Sequence, residues 1–262
     1  IIVPKLFDGD QAYILQQPDD ERIVFAIPYE RDFTLIGTTE VAFDFDPTTA
    51  KIDDQEIEYL CEAVNRCFNK EIDPDCIVST YSGVRPLIED GEEEATKATR
   101  DYKIQLEKRY GPKLLNIFGG KITTYRKLAE TALNKISSNH SWTAKAPLPG
   151  GDIPFQEFND FITRKQQEYD WLPKDLIFRY ARAYGSRMDN ILDKAHSLKD
   201  MGRHFGMDLY EREVSYLINE EWAWTTEDIL WRRSKLGLHI DLKTKQNLEA
   251  YMAVAQERIY AT

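Results

Sequence analysis

Leu114–Glu130 reads LLNIFGGKITTYRKLAE, an order of residues that predicts a strand, a glycine turn and a helix in succession. Leu114–Phe118 is the apolar run, Gly119 and Gly120 form the turn, and Thr123–Ile136 carries helical spacing. A strand entering a helix in this way gathers unsatisfied backbone N–H groups and the positive end of the helix dipole at one point. Paired glycines leave that point without Cβ atoms, so a flat or anionic ligand can reach the backbone. Lys121 adds a full positive charge, and a threonine, Thr123 or Thr124, is placed to cap the helix. A plain strand–turn–helix has the same spelling, so this segment alone leaves both readings open.

Working outward, residues 1–35 alternate in short strands. Ala12–Gln16 and Ile23–Pro28 flank a polar turn, and Phe33–Thr38 follows the charged turn Glu30-Arg31-Asp32. Neighbouring strands joined by such short turns predict an antiparallel sheet. Asp53–Phe68 is an amphipathic helix, with an aspartate to cap it and Ile57, Leu60, Cys61, Val64 and Phe68 on one face. Cys76–Tyr81 reads as a further strand leading to Ser82-Gly83-Val84-Arg85.

Between Ser137 and Ile153 the composition turns to Ser, Pro and Gly, which predicts a boundary between residues 1–147 and 148–262. Beyond it the chain reads as helices at Phe155–Tyr169, Lys174–Tyr184, Met188–Ala195, Glu211–Glu220, Thr226–Arg233 and Lys243–Tyr260. Trp222, Trp224, Leu230 and Trp231 are expected in the core of that bundle, and Arg179, Arg182 and Arg187 on a solvated face. The fold class is therefore α+β: an antiparallel-sheet portion and a strand–helix unit, followed by an all-helical domain.

The formal net charge of −11, from 34 basic and 45 acidic residues, argues against nucleic acid as a partner. No apolar run approaches the ~20 residues that cross a bilayer. Cys61, Cys67 and Cys76 lack C-x-x-C spacing, and the four histidines are dispersed, so neither a disulfide frame nor a metal site is expected. Cys61 is expected to be buried, and the cysteine usage fits a reducing cytoplasm.

Several motifs act together. FAIPYERDFTLIGTTE (Phe25–Glu40), TYSGVRPL (Thr80–Leu87), TRDY (Thr99–Tyr102), FGGKITTYRKLAE (Phe118–Glu130) and LINEEWAWTTEDILWRRSKLGL (Leu217–Leu238) are long and fall in a fixed order. In these the chain resembles the FAD-dependent, aerobic, quinone-linked glycerol-3-phosphate dehydrogenases, from about Ile1 to Leu238. The resemblance implies that the first part holds the substrate-binding sheet and the last strand and helix of a flavin domain. It implies Arg85 and Arg100 as cations for the substrate, with Thr38, Thr39 and Tyr125 lining the same pocket. Gly119, Gly120, Lys121, Thr123 and Thr124 would lie beside FAD, with Lys121 and Arg85 closest to the chemistry.

The family's dinucleotide fingerprint, G-x-G-x-x-G, is absent from the sequence, and a family histidine of the active site would precede Ile1. The chain is thus expected to be the C-terminal part of a longer enzyme, without activity or retained FAD by itself. The implied partners are glycerol 3-phosphate and a quinone, with cytoplasmic location peripheral to the inner membrane and a homodimer as an open assembly. An oxygen-linked glycerol-3-phosphate oxidase and a non-catalytic helical assembly module stand as alternatives.

Overall fold

A computed structural model of the chain describes residues 1–18, 20, 22–85, 101–108, 111–138 and 140–260. The chain divides into two units, Ile1–Ala144 and Lys145–Thr262.

The first unit begins with strands β1 (Ile2–Pro4), β2 (Tyr13–Gln16), β3 (Ile23–Tyr29) and β4 (Phe33–Gly37). They form one antiparallel sheet in the order β1-β4-β3-β2, with Tyr13 opposite Ala26 and Ala26 opposite Ile36. The two-residue period puts Leu15, Val24, Ala26 and Ile36 on one face, where they are buried with Val3. Helix α1 (Asp54–Asn65) covers that face with Leu60, Cys61, Ala63 and Val64, so Cys61 is buried as expected. The opposite face leaves Ile14, Ile23 and Phe25 exposed.

The strand expected at Cys76–Tyr81 is reduced to one bridge. Asp73 caps a 3₁₀ turn at Pro74–Cys76, and only Ser79 pairs with Ile2. Asp-Pro initiates a turn, and proline brings no N–H to a ladder. Strand β5 (Lys103–Glu107), whose charged alternation hid it in the sequence, pairs antiparallel with β6 (Leu114–Phe118). Helix α2 (Tyr125–Leu133) follows β6 after a 3₁₀ turn at Ile122–Thr124.

The second unit is helical, with one short hairpin added. Helices α3 (Phe158–Glu168), α4 (Lys174–Tyr184) and α5 (Met188–Leu192) precede strands β7 (His204–Gly206) and β8 (Leu209–Tyr210). Helix α6 (Glu211–Glu221), a π-helical turn at Asp228–Arg233 and α7 (Leu242–Tyr260) complete it. Leu176, Ile177, Met188, Ile191, Leu192, Leu209, Val214, Leu217 and Leu248 sit at the centre of one continuous core.

The glycine-rich approach to this unit has a packing role. Gly150 and Gly185 lie at φ +83° and +55°, and a Cβ on Gly185 would stand 1.9 Å from the Gly150 carbonyl oxygen. Only glycine lets the chain meet the end of α4 this closely. Ser186 N then donates to the Gly150 oxygen at 3.2 Å.

Two expectations for this unit are corrected. Leu230 is buried and Trp231 packs against the core, but Trp222 is 86% exposed and Trp224 37%. Trp222 takes the left-handed conformation that ends α6 (φ 55°, ψ 32°), which turns its side chain off the helix's apolar face. Arg179 is not on a solvated face. Its side chain is 14% exposed, and Nη1 and Nη2 donate to the two carboxylate oxygens of Glu213 at 2.6 and 2.7 Å. Arg182 lies over Phe178, and Arg187 pairs with Glu220 at 2.8 Å.

Candidate functional site

Two groups of the expected site residues are built in the first unit, each from its own local chemistry. The first gathers where β4 ends. Thr38 is exposed and Thr39 half-buried just beyond Gly37. The Thr39 hydroxyl donates to Glu56 Oε1 at 2.5 Å. Glu56 is also the third residue of a capping box: its Oε2 accepts from Asp53 N at 3.2 Å, while Asp53 Oδ1 accepts from Glu56 N at 2.8 Å. One glutamate therefore closes the start of α1 and tethers the β4 exit to it. Glu40, the next residue, accepts from Arg85 Nη1. Arg85 is 46% exposed, so its charge is open to solvent and to a ligand. At the opposite end of the β3–β4 ladder, where Tyr29 pairs with Phe33, burial first, then Tyr81 and Glu30, push the Tyr29 phenol up to about 12.

The second group is the β6–α2 connection. Gly119 and Gly120 lie at φ +67° and +109°, in the left-handed region where glycine carries no steric penalty. Lys121, Ile122, Thr123 and Tyr125 are all exposed beyond them, with Thr124 half-buried. Thr124 occupies the N-cap position of α2, but its side chain makes no capping bond there. Its hydroxyl donates instead to the Lys121 carbonyl at 2.9 Å, which corrects the expectation of a threonine cap. The first N–H groups of the helix are consequently left without that side-chain partner, and the Lys121 ammonium makes no hydrogen bond or ion pair among the described residues.

Support for this mouth comes from behind it. A Cβ on Gly120 would meet Tyr102 Cβ at 3.4 Å, and the Tyr102 phenol lies 3.4 Å from the Thr131 hydroxyl of α2. On the same helix Glu130 accepts from the Thr143 hydroxyl at 2.5 Å and pairs with Arg126 at 3.3 Å, which holds its carboxyl below the usual range.

The two groups belong to one unit, and among the described residues no hydrogen bond or ion pair joins Arg85 to Lys121. Arg100 lies outside the described residues. Sequence reasoning missed Glu40 and Glu56. Asp53-x-x-Glu56 is a readable capping signature, but nothing in the spacing announces the bond from Thr39. The fit to a flavin is partial and local: a Cβ-free turn, a helix start without a side-chain cap and an ammonium without a partner among the described residues suit the electron-rich edge of a flat cofactor. A pyrophosphate cradle of the G-x-G-x-x-G kind is not in the sequence.

Comparison with known proteins places these parts. Residues 1–126 match the family of FAD dependent oxidoreductases, and residues 141–260 match the C-terminal domain of alpha-glycerophosphate oxidase. A glycerol-3-phosphate dehydrogenase of Pseudomonas aeruginosa is 46% identical over 258 residues, which are 96% of this chain and 50% of that protein. The aerobic glycerol-3-phosphate dehydrogenase of Escherichia coli is 40% identical across 99% of this chain and 53% of its own length. A D-erythritol 1-phosphate dehydrogenase of Brucella abortus is 43% identical across 92% and 49%. The X-ray structure of the glycerol-3-phosphate dehydrogenase from Bacillus halodurans complexed with FAD superposes with a TM-score of 0.78 at 28% identity, over 98% of this chain and 52% of that one. The chain spans about half the length of the curated relatives it matches. With one family model on each part and such relatives along nearly its whole length, these likenesses support the chain as a fragment of an FAD-dependent glycerol-3-phosphate dehydrogenase.

Proposed function

We propose that this chain supplies the phosphate-binding and flavin-facing parts of an enzyme that oxidises sn-glycerol 3-phosphate to dihydroxyacetone phosphate. The observation that carries the reading is the β6–α2 mouth, with a Lys121 that has no partner among the described residues beyond two left-handed glycines. FAD, when bound, takes up the hydride equivalent from C2 of the substrate. Lys121, with the backbone at Gly119 and Gly120 and the hydroxyls of Thr123 and Thr124, offsets the negative charge that collects on the flavin edge. Arg85 binds the substrate's phosphate, whose oxygens a planar guanidinium can meet in pairs, and Arg100 is the cation on the substrate's other side. Tyr125, Thr38 and Thr39 line the pocket. Thr39 does so through backbone and methyl surface, because its hydroxyl proton is committed to Glu56.

On this reading the chain alone neither turns over nor retains FAD. A nearly colourless preparation of the 262-residue chain supports that reading, and a stoichiometrically yellow one overturns it. In the intact flavoenzyme, Arg85→Ala should lower kcat/KM strongly, and an unchanged value would remove the phosphate assignment.

Electrons leave to a membrane quinone, from an enzyme on the cytoplasmic side, peripheral to the inner membrane. No helix among the described residues is long and apolar enough to cross a membrane, and a homodimer is the proposed assembly. Steady-state rates with a quinone analogue against oxygen decide the acceptor. The Brucella relative favours one second reading, a longer polyol phosphate as substrate. It shares the phosphate end, so initial rates with glycerol 3-phosphate and with D-erythritol 1-phosphate separate the two.

A further inference from the structure

The β4 exit holds an acidic residue that the oxidation itself does not require. Glu40 stands beside the candidate substrate cation Arg85 and accepts from its Nη1. A bare carboxylate next to a phosphate site repels the dianion, so its presence there needs a compensating benefit. Geometry supplies one. An arginine side chain has many rotamers, and fixing it at the moment of binding weakens affinity. A single contact through Nη1 orients the planar group, while Nε and Nη2 have no protein partner among the described residues. Those two N–H edges are the ones that can meet phosphate oxygens in parallel.

Glu40 can do this because its own backbone is held. Thr39 precedes it, and the Thr39 hydroxyl is tied at 2.5 Å to Glu56, which is itself locked into the capping box of α1. A rigid support behind an orienting group is what a preorganised site needs. Glu40 is 26% exposed in its side chain, less than Arg85, as befits the fixed partner of the pair.

We infer that Glu40 is a positioning residue for substrate binding: held by the Thr39–Glu56 tether, it aims Arg85 at the phosphate. This rests on the reading of Arg85 as a phosphate cation.

A double-mutant cycle in the intact flavoenzyme tests it, with kcat and KM for glycerol 3-phosphate, visible flavin absorbance and melting temperature measured for every variant. Glu40→Ala should raise KM about three- to tenfold, the scale of one side chain left to be ordered on binding. Turnover and flavin content should hold. Glu40→Gln keeps an acceptor oxygen in nearly the same shape, serves as the readout should the alanine variant fail to fold, and should raise KM by a smaller factor. Both changes should become silent in the Arg85→Ala background, because an orienting group has nothing left to orient. The inference is overturned if both leave KM unchanged, or if their factors persist when Arg85 is gone. If Arg85→Ala itself leaves KM unchanged, the phosphate reading falls, and this inference with it.

Discussion

Arg85 and Arg179 each meet a glutamate, in surroundings as unlike as one chain offers. Arg85 touches Glu40 through one nitrogen, at the exposed end of a small sheet. Arg179 sits in the helical unit, bidentate to a Glu213 whose side chain is 0% exposed, and its Nη2 also reaches the Asp208 carbonyl at 2.8 Å. Tyr184 adds a hydroxyl to the same carboxylate at 2.5 Å. Burial works against the guanidinium's charge there, yet Glu213 outweighs it and holds Arg179 protonated well above its usual range. The Tyr180 and Tyr184 phenols are likewise pushed up, first by burial and then by Glu213. One pair leaves its cation open for a ligand, and the other has closed around it. Function can use the first, whereas the second holds α4 to α6.

The largest effect expected from this contrast is on the closed pair. Glu213→Ala should destabilise the helical unit by about 3–5 kcal/mol, because it leaves a buried guanidinium without its counter-charge. Chemical denaturation of the chain measures this. Replacing both partners together, Arg179→Met with Glu213→Leu, should recover most of the loss, since an apolar pair of similar volume escapes the desolvation cost. A double variant as unstable as Glu213→Ala would mean that the pair stabilises beyond its mutual compensation.

The open pair should behave in the opposite sense. Arg85→Ala in the intact flavoenzyme should remove about 3 kcal/mol of transition-state binding, roughly two orders of magnitude in kcat/KM, and leave the melting temperature in place. A drop in melting temperature with unchanged kinetics would reverse the roles of the two arginines.

Smaller effects test the helix ends. Asp228 accepts from Trp224 N at 3.0 Å and from Thr225 N and Oγ1 at 2.8 and 2.9 Å, and the backbone bond from Thr225 leads in lowering its carboxyl to about 2. Its folded value lies below its unfolded one, so this stabilisation is complete above about pH 4 and fades as the pH falls towards 2. Asp228→Asn should cost about 1 kcal/mol at neutral pH and flatten that part of the acid unfolding curve. Smallest of all, Trp222→Gly should leave stability unchanged or raise it by up to about 1 kcal/mol, because glycine takes the left-handed C-cap without steric penalty. A large loss on thermal unfolding would show that the exposed indole packs after all.

Period and punctuation made much of this legible beforehand. The alternation in residues 13–37 marked the sheet, the spacing of Leu60, Cys61 and Val64 marked the covering helix, and Gly119-Gly120-Lys121 marked the mouth. Each is a local property, because backbone conformation and side-chain direction follow from near neighbours. What the sequence could not decide was partnership. Arg179 and Glu213 are 34 positions apart, Thr39 and Glu56 17, and Arg85 and Glu40 45. Whether a charged residue on a helix faces water or a buried counter-charge depends on which other helix comes to lie against it. The same holds for Trp222, whose place in an aromatic run promised a core that the left-handed end of α6 denied it. By itself the sequence determined the elements, their faces and the glycine mouth, since these depend on residues within a turn or two of one another. Tertiary structure alone decided which arginine is open and which is sealed, because that choice is made by residues the chain brings together only when it folds.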